Sequence, residues 1–498
     1  MKHVIIIGSG LGGLTTGVFL AKNDYKVTIL EKEPTIGGCL QCFTRKGKKY
    51  ETGMHFIGSA APGQSLRKLM RYLEIDDQIQ LSALDPTGYD VVSIDGKQYR
   101  FANGREAFIR QMCVDFPHER ENLEHYFDLI DRVAAASNLH SLKQNDSNSP
   151  IDIECQLRSI DDVVGSIIHD PLLQKVLVGN LPLYAGERGK TPFSTHAFIM
   201  DFYNQSAYRI VGGSDQIATA LQRTLEKYGA QVLPRSQVTE ILCDDRRATG
   251  VMVNHDTQIA ADYVISAIHP QRTLEMLHSP LIRPAYRNRI KNIPNTVSCF
   301  VVYLDFKEGA MPYMNHNFYG YRSGTPWDCE RYDAANWPKG YLYLHLCHED
   351  NARYASTGEI ICYMWMKDVA QWAGTRPGHR GKDYEAFKEK TAERLLEAVE
   401  RDFPGLRASL NGYYTSTPLT YLDYTGTAEG CMYGVAKDIN LGASCRISDR
   451  TKIPNLFFTG QNINSHGMLG VLVGTIVTCS ELLGTDTIYR QIFEANKA

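Results

Sequence analysis

Apolar residues at the start of the chain come in short runs separated by a cluster of glycines. Residues 3–7 form an uninterrupted β-branched run, which is typical of a strand buried within a parallel sheet. Glycines crowd residues 8–13, and residues 14–22 then combine small and apolar side chains, as a helix lying close to a sheet requires. Residues 27–30 are a second apolar run. The pattern predicts a strand, a turn, a helix and a second strand.

Runs of the same kind return much later in the chain. Residues 215–228 have the spacing of a helix, and Gly229 is placed to end it as a C-cap. We predict strands at 231–233, 238–242, 250–253, 264–268 and 341–347, a helix at 384–401, and a strand from Leu456 that runs into a turn and a glycine-rich helix. Strand and helix therefore alternate near both ends of the chain, with less regular sequence between them.

The spacing of the first glycines gives each of them a physical task. Gly8 permits a tight turn out of the strand, Gly10 lets the backbone approach a phosphate, and Gly13 lets the helix lie close to the strand. The helix N-terminus then offers free N–H groups and a positive dipole end to an anion. The turn that contains Gly8, Gly10, Gly12 and Gly13 therefore predicts a pyrophosphate site for a dinucleotide.

Glu31 suits the ribose of a dinucleotide, and two features that follow it select FAD. Glu31 ends the second strand, where a carboxylate accepts hydrogen bonds from ribose hydroxyls. The glycine pair Gly37 and Gly38 follows it, and the late strand runs into Thr459–Gly460–Gln461. This pair and this turn resemble those of flavoproteins of the glutathione-reductase-like superfamily. An acidic residue is usual where Gln461 stands, but an amide also donates to and accepts from hydroxyls.

The alternating segments predict a discontinuous domain. We expect an α/β fold, with a Rossmann-like FAD-binding domain of the glutathione-reductase-like superfamily and an inserted α+β substrate domain. The FAD-binding domain is assigned to 1–70, 206–272 and 452–498, and the substrate-binding domain to 71–205 and 273–451. The polar run at 143–150 predicts an exposed loop.

Composition mainly excludes classes of partner. Lys and Arg total 53 against 56 Asp and Glu, a net charge of −3, which argues against nucleic-acid binding. Twelve cysteines over 498 residues do not make a disulfide-dense secreted scaffold.

The apolar run begins too early for a signal peptide, and residues 467–479 are too short to span a bilayer, so we expect a cytoplasmic protein. The amphipathic stretch 66–73 predicts a surface helix, with docking on a membrane surface as the alternative. The oligomeric state is not predicted.

Several motifs resemble one group of flavoproteins. Gly37–Gly38–Cys39 with Phe43, and then residues 50–58, resemble a segment shared by retinol saturases and plant-type carotenoid isomerases. The tail from residue 453 through 479 resembles the end of retinol saturases, and residues 264–267 resemble a strand of phytoene desaturase relatives. The chain is therefore similar to the FAD-dependent phytoene desaturase, carotenoid isomerase and retinol saturase family.

The resemblance implies an FAD-dependent oxidoreductase acting on carbon–carbon double bonds of an apolar polyene or isoprenoid. Reduction of one double bond is the preferred reaction, while desaturation and cis–trans isomerisation at the same flavin are the alternatives. The alternative that is not an enzyme is a non-catalytic protein that binds flavin or carries a lipid. No second glycine fingerprint is present, so the electron donor is open between NAD(P)H and a separate reductase or quinone.

The motifs and the resemblance together predict the cofactor contacts. These are Gly8, Gly10, Gly12, Gly13, Glu31, Lys32, Gly37, Gly38, Cys39, His55, Val238, Gly460, Gln461, Leu469, Gly470 and Val471. The resemblance places His55 beside the flavin ring, where it would act as a general acid; the alternative is a hydrogen-bonded core histidine. His466, before the last glycine-rich helix, is the second catalytic candidate.

Cys39 and Cys42 raise the question of a redox or metal site. Disulfide reductases carry a cysteine pair after the same glycine pair, but with a wider spacing. A zinc site needs a second pair of ligands at similar spacing, and none is evident in the sequence. A structural role is favoured for both cysteines and no metal is predicted; redox activity stays open.

Overall fold

The apolar run at residues 3–7 forms the centre of a parallel sheet, as its pattern predicts. In the computed structural model, which describes residues 1–142 and 150–497, this strand has neighbours on both sides. The predicted loop at 143–150 lies outside the described residues except for Pro150, which begins a helix.

Twenty strands and sixteen α-helices make up the described part of the chain. The strands are β1 (His3–Ile7), β2 (Lys26–Leu30), β3 (Cys42–Arg45), β4 (Lys48–Glu51), β5 (Ile57–Gly58), β6 (Leu81–Ala83), β7 (Asp90–Ile94), β8 (Lys97–Phe101), β9 (Ala207–Ile210), β10 (Gln231–Leu233), β11 (Val238–Cys243), β12 (Ala248–Val253), β13 (Thr257–Ala260), β14 (Tyr263–Ser266), β15 (Ser298–Phe306), β16 (Asn317–Tyr321), β17 (Gly340–His345), β18 (Thr357–Met364), β19 (Leu410–Ser416) and β20 (Leu456–Phe458). The helices are α1 (Leu11–Ala21), α2 (Ser65–Tyr72), α3 (Arg105–Met112), α4 (Arg120–Ala136), α5 (Asn138–Ser141), α6 (Pro150–Leu157), α7 (Ile160–Ile167), α8 (Pro171–Leu177), α9 (Phe193–Gln205), α10 (Asp215–Lys227), α11 (Pro270–Glu275), α12 (Pro284–Lys291), α13 (Lys382–Glu400), α14 (Pro418–Thr425), α15 (Gly467–Leu483) and α16 (Thr485–Glu494).

The first sheet has five strands in the order β10–β2–β1–β14–β20, all parallel. Their carboxyl ends lie at one edge, where ligands bind in open α/β sheets. Helices α1 and α15 cover one face, and α1 is buried along nearly its whole length. Its apolar residues therefore run all round the helix instead of along one stripe, because protein surrounds it.

Gly13 sets the distance between α1 and the turn after β1. A Cβ atom added there would lie 2.0 Å from the carbonyl oxygen of Gly8, closer than any real contact. The first turn of α1 therefore touches the turn backbone directly. This is the close approach that the spacing of the glycines predicts.

The second large sheet has seven strands in the order β19–β15–β18–β17–β16–β7–β8. Only the β16–β7 pair is parallel within it. Strand β15 is buried at all nine positions, with Phe300 facing the core that α13 covers and Val301 facing the core that α4 and α9 cover. The sheet is thus a central layer with helices on both faces, and the predicted α/β architecture is confirmed.

The two large sheets draw on separate stretches of the sequence. The parallel sheet takes its strands from residues within 1–70, 206–272 and 452–498, and the seven-stranded sheet from 71–205 and 273–451. A small sheet, β5–β9–β6, joins strands from both sets. The domain boundaries themselves stay a prediction.

The amphipathic stretch near residue 66 forms helix α2. Leu66, Leu69, Met70 and Leu73 are almost completely buried in the core that surrounds the parallel sheet. The apolar side of α2 thus faces protein, which is what a surface helix of the fold requires. Within the described ranges no single helix meets the length and hydropathy needed to cross a bilayer, while α15 and α16 meet them together but are bent by 119°.

Replacing Gly13 with alanine should lower the free energy of unfolding. The added methyl group has no room against the Gly8 carbonyl, so helix or turn must shift, at a cost of about 1–3 kcal/mol. Gly10→Ala is the matched control, since no atom lies within 4 Å of the position of its added Cβ. Urea unfolding of both variants without flavin measures the difference, and equal midpoints would contradict the packing described.

Candidate active site

A cavity of about 690 Å³ opens at the carboxyl edge of the parallel sheet. Residues that end or follow four of its strands line it, among them Ile7, Leu30, Ala267 and Gly460. This is the crevice in which open α/β sheets hold nucleotides. It extends away from the sheet towards β16, β17 and β18 of the seven-stranded sheet.

Glycine backbone forms the part of the cavity next to the sheet, here called the cofactor wall: Gly8, Gly10, Gly12, Gly37, Gly38 and Gly460. Gly10 is the N-cap of α1 and carries no capping side chain, so the first N–H groups of the helix are available to an anion. No atom lies within 4 Å of the place where its Cβ would stand. A pyrophosphate therefore fits against Gly10 without any side chain in the way.

The second glycine pair lies directly beside the first turn. Gly37 donates its N–H to the Ser9 carbonyl at 3.0 Å, and the Gly37 and Gly10 backbones form a parallel bridge. A Cβ on Gly38 would lie 3.2 Å from Gly10 Cα, and the φ of Gly38 is +55°, a value that favours glycine. The two motifs found separately in the sequence thus make one continuous surface.

Glu31 holds the glycine turn in place. Its Oε2 accepts the backbone N–H of Ser9 at 3.0 Å and the Ser9 hydroxyl at 2.7 Å, while Oε1 accepts the Glu33 N–H at 2.8 Å. A carboxylate has about four acceptor positions, so one stays available to a ribose hydroxyl. Glu31 lines the cavity and is mostly buried. Its predicted binding role is therefore joined by a structural one.

The predicted cofactor contacts divide into two groups. Those that line the cavity are Gly8, Gly10, Gly12, Glu31, Lys32, Gly37, Gly38, Cys39, His55, Val238, Gly460, Gln461 and Val471. Gly13, Leu469 and Gly470 do not line it. Leu469 is part of the apolar core, and a Cβ on Gly470 would lie 2.7 Å from Ser465 Cβ. These three residues position α1 and α15 instead of facing the cavity.

Aromatic side chains form the far end of the cavity, here called the aromatic wall: Phe56, Tyr203, Tyr321, Tyr363 and Tyr433. Tyr321 projects from β16 and Tyr363 from β18. Among the described residues that line the cavity, the carboxylates are Glu31 and Glu275, and Glu275 is paired with Arg272 at 2.9 Å. The aromatic wall therefore offers an uncharged surface suited to an apolar ligand.

Sequence reasoning did not identify the aromatic wall. Tyr319 and Tyr321, like Tyr341 and Tyr343, alternate at the period of a strand, which was the available signal. On both strands the pattern predicts burial but not which face borders a cavity. Only the packing of the two sheets decides that.

His55 stands where the cofactor wall and the aromatic wall meet. It lies between β4 and β5, its side chain is 12% exposed, and it lines the cavity. Its Nε2 is 2.8 Å from Oε2 of Glu359, which is completely buried in β18. Burial opposes a charged ring, but the charge and hydrogen bond of Glu359 outweigh it and raise the pKa of His55 above its ordinary value. The imidazole is thus set up to carry a proton.

Comparison with known proteins agrees with this geometry. Residues 11–474 match the family described as flavin containing amine oxidoreductase. The chain belongs to this family. Its members contain a flavin, so the predicted FAD cofactor and the predicted enzyme class, an FAD-dependent oxidoreductase, are confirmed.

Named relatives of the chain include proteins of the group predicted from the motifs. All-trans-retinol 13,14-reductase of Rattus norvegicus is 26% identical over 526 residues, covering 96% of this chain and 85% of the relative. Prolycopene isomerase 2 of an Oncidium hybrid cultivar is 24% identical over 500 residues, covering 94% and 82%. A solved oxidoreductase from Methanosarcina mazei superposes with a TM-score of 0.66 at 15% identity, covering 96% of this chain and 100% of that one. The predicted resemblance and fold are therefore confirmed.

A second carboxylate of this flavoprotein lies near His55. Glu51 is buried, and it accepts hydrogen bonds from the Ser214 N–H at 2.9 Å, from the Ser214 hydroxyl and from the Cys42 thiol at 3.2 Å. Burial raises its pKa to about 7, although the Ser214 hydrogen bond and the His55 charge act in the opposite direction. Glu51 therefore holds a proton over part of the neutral range.

His466 lies behind the cavity. Its Nε2 is 3.2 Å from the Leu183 carbonyl oxygen, and its ring packs on Tyr433 with centroids 4.3 Å apart. Both partners line the cavity, but His466 itself does not. Burial lowers its pKa to about 4, so the ring is neutral at physiological pH. His55, unlike His466, reaches the cavity.

Neither Cys39 nor Cys42 forms a disulfide. Burial raises the pKa of Cys39 to about 11, and burial together with the Glu51 charge raises that of Cys42 further, so both stay thiols. Among residues 1–142 and 150–497, no group of three or more His, Cys, Asp and Glu side chains is arranged to hold a metal. The structural interpretation of the pair fits these surroundings.

Helix α14 closes one side of the cavity. The Tyr421 hydroxyl donates to the Thr52 carbonyl at 3.0 Å, and Lys32 donates to the Asp423 carbonyl at 2.9 Å. A second cavity of about 770 Å³ lies beside this helix, and Tyr421 and Tyr424 line both. The helix is therefore a shared wall, fastened to the segment that carries His55.

Filling the empty space at Gly10 should remove the flavin without unfolding the protein. Valine there projects into the cavity, where nothing else lies within 4 Å of the Cβ position. We expect Gly10→Val to purify colourless, with an unfolding midpoint close to that of the unmodified apoprotein. Gly412→Val, at another position with open space around the Cβ and on β19, should stay yellow. Stoichiometric flavin in Gly10→Val would contradict the proposed position of the pyrophosphate.

The buried Glu51 should make stability depend on pH. Its pKa is raised in the folded protein from an ordinary value of 4.5 to about 7, so folding takes up a proton in this range. Its contribution is therefore complete below 4.5 and is lost as the pH rises through 7. Glu51→Gln should flatten the fall of the free energy of unfolding between these values, measured by urea titration.

Glu74→Gln is the matched control for that titration. Hydrogen bonds to Lys227, Tyr228 and Lys22 lower the pKa of Glu74 to about 2, against the effect of burial. Its contribution is therefore constant between pH 4.5 and 7. The control should shift the whole curve and keep its slope; the same flattening in both variants would contradict the assignment to Glu51.

Proposed function

We propose that this flavoprotein reduces one carbon–carbon double bond of an apolar polyene or isoprenoid. The observation that carries the proposal is a single cavity in which the cofactor wall and an uncharged aromatic wall meet at His55. A conjugated chain can lie flat on tyrosine rings, and it gives up little hydration when it enters. The names of the retinol reductase and prolycopene isomerase relatives support the same substrate class.

The cofactor would be held mainly by backbone. The cofactor wall and the N-terminus of α1 suit the pyrophosphate, Glu31 suits a ribose, and Gln461 suits the ribityl hydroxyls. When bound, FAD supplies hydride transfer. The chain itself has to orient the polyene, exclude water and deliver a proton.

His55 is proposed to deliver that proton. It is the histidine at the junction of the two walls, and Glu359 favours its charged form. A positioned acid near its working pH contributes about 10²–10⁴-fold to a proton transfer. Two electron donors are proposed, NAD(P)H reaching the bound flavin through the cavity and a separate reductase or quinone, because the sequence has no second glycine fingerprint that would select between them.

Isomerisation of a cis double bond is the second candidate function. The observation that favours it is the prolycopene isomerase relative, which covers 94% of this chain. Isomerisation needs the same cofactor wall and the same uncharged surface, but no net electron donor. A single experiment therefore separates the two functions.

Anaerobically reduced protein mixed with a conjugated polyene should yield a product with two more hydrogen atoms, while the flavin reoxidises. Mass spectrometry of the product and the flavin absorbance measure the two events. A product of unchanged mass and altered absorption would support isomerisation instead. If no polyene or isoprenoid reoxidises the flavin or is altered, the proposal is wrong.

His55→Gln should bind flavin and accept electrons as the unmodified protein does, yet reduce the polyene about 10²–10⁴-fold more slowly. The amide keeps a polar group near Glu359 but cannot act as the acid. His466→Gln is the control and should slow the reaction much less, because His466 does not line the cavity. Stopped-flow flavin reoxidation measures both rates, and equal losses would contradict the assignment.

A further inference from the structure

Glu359 is a buried carboxylate at the place where the two parts of the fold meet. It lies in β18 with no exposed surface. Its Oε1 accepts the backbone N–H of Glu51 at 2.9 Å, and its Oε2 accepts Nε2 of His55 at 2.8 Å. Burying a charge in an otherwise apolar strand costs free energy unless its neighbours compensate. Because burying the Glu359 carboxylate costs free energy, its place beside the cavity needs a physical reason.

The hydrogen bond to the backbone of β4 alone does not supply that reason. The oxygen of a glutamine could accept one of the two N–H groups and hold the strand to the backbone of β4. A carboxylate adds a second acceptor oxygen, which bonds the His55 Nε2–H, and a negative charge, which acts on the His55 ring. The charged and titratable groups facing that ring are Glu359 from β18, Glu51 from β4 and Arg209 from β9. Two of the three favour the imidazolium, and Arg209 opposes it.

The hydrogen bond also leaves one ring nitrogen of His55 available to a ligand. Nε2 is occupied by Glu359, and no residue within 1–142 or 150–497 forms a hydrogen bond with Nδ1. Because the side chain lines the cavity, Nδ1 is the atom that can reach a ligand. A carboxylate that is hydrogen-bonded to one ring nitrogen of a histidine fixes the orientation of the ring and decides which nitrogen carries the proton in the neutral form.

We propose that Glu359 is a positioning residue that holds His55 protonated, with Nδ1 towards the double bond. The proposal rests on the function proposed above. In the step, the Nδ1–H bond breaks and a C–H bond forms at one carbon of the double bond. FAD, bound in its reduced form, would supply the hydride, with its electron pair, to the neighbouring carbon. His55 is left neutral, with its Nε2–H still bonded to Glu359.

Glu51 acts on the same ring from further away. It forms no hydrogen bond with His55, yet its charge favours the imidazolium. It is itself protonated over part of the neutral range, because burial raises its pKa to about 7. Its influence should therefore be smaller than that of Glu359. Comparing the effects of Glu359 and Glu51 on the proton affinity of His55 therefore distinguishes specific positioning by Glu359 from a general effect of nearby negative charge.

The test is an NMR titration of His55 in the flavin-bound protein without substrate. Histidine labelled with ¹⁵N gives the signals, and the one missing in His55→Gln assigns the residue. In Glu359→Gln we expect the proton affinity of His55 to fall about tenfold or more, since an adjacent opposite charge has that effect. In Glu51→Gln we expect a smaller fall. An unchanged His55 titration in Glu359→Gln, or a larger fall in Glu51→Gln, would overturn the proposal.

If Glu359→Gln does not fold, a measurement on the unmodified protein tests the proposal instead. Above the pKa of His55, the nitrogen shifts should show the proton on Nε2 and none on Nδ1. The reverse tautomer would overturn the proposal. Neither measurement needs a substrate. If His55 and Glu359 behave as expected but the protein alters no polyene, the proposed function is wrong, whereas the effect of Glu359 on His55 still holds.

With substrate, the pH profile adds a readout that a purely structural role would not move. Glu359→Gln should shift the alkaline limb of the polyene reduction rate to lower pH, by the same factor as the NMR titration. A profile that keeps its shape and only loses amplitude would mean that Glu359 holds the fold and not the proton, and would overturn the proposal.

Discussion

Backbone contact between glycines is the constraint on which the rest of this structure depends. The first turn of α1 touches the turn after β1 at Gly13, where a Cβ would lie 2.0 Å from a carbonyl oxygen. It touches the turn after β20 at Gly12, where a Cβ would lie 2.8 Å from Gly460 Cα. Segments from opposite ends of the chain thus meet without side chains between them. This leaves an edge of bare N–H groups to which an anionic cofactor can come close.

The site joins that edge to a surface of a different kind. The seven-stranded sheet presents tyrosines to the cavity, and ionisable groups cluster where the two surfaces meet. Glu359 and Glu51 lie in strands from different parts of the fold, and the N–H of one bonds the carboxylate of the other. Their charges act on His55, the residue between the cofactor wall and the aromatic wall. The fold therefore gathers two buried carboxylates around one histidine of the cavity lining.

The sequence was informative where function depends on local spacing. The glycines, Glu31 and the strands around them follow from patterns within a few residues, and all of these elements were predicted. Glu359 was not, because it is 304 positions from His55 and stands in an apolar strand, where a lone carboxylate was the only signal. Leu469 and Gly470 show what local spacing does not predict. Their helix was predicted, but which of its faces borders the cavity depends on how α15 packs against α1.

The central claim is that a flavin and an apolar polyene occupy one cavity side by side. Titrating the oxidised holoprotein with a conjugated polyene, while recording the flavin absorption spectrum, tests this most directly, since a neighbouring π-system alters the flavin bands. The account predicts a saturable change with one polyene per flavin, and no such change with an aliphatic diamine, because the aromatic wall is uncharged. A spectrum that responds to the diamine and not to the polyene would contradict it.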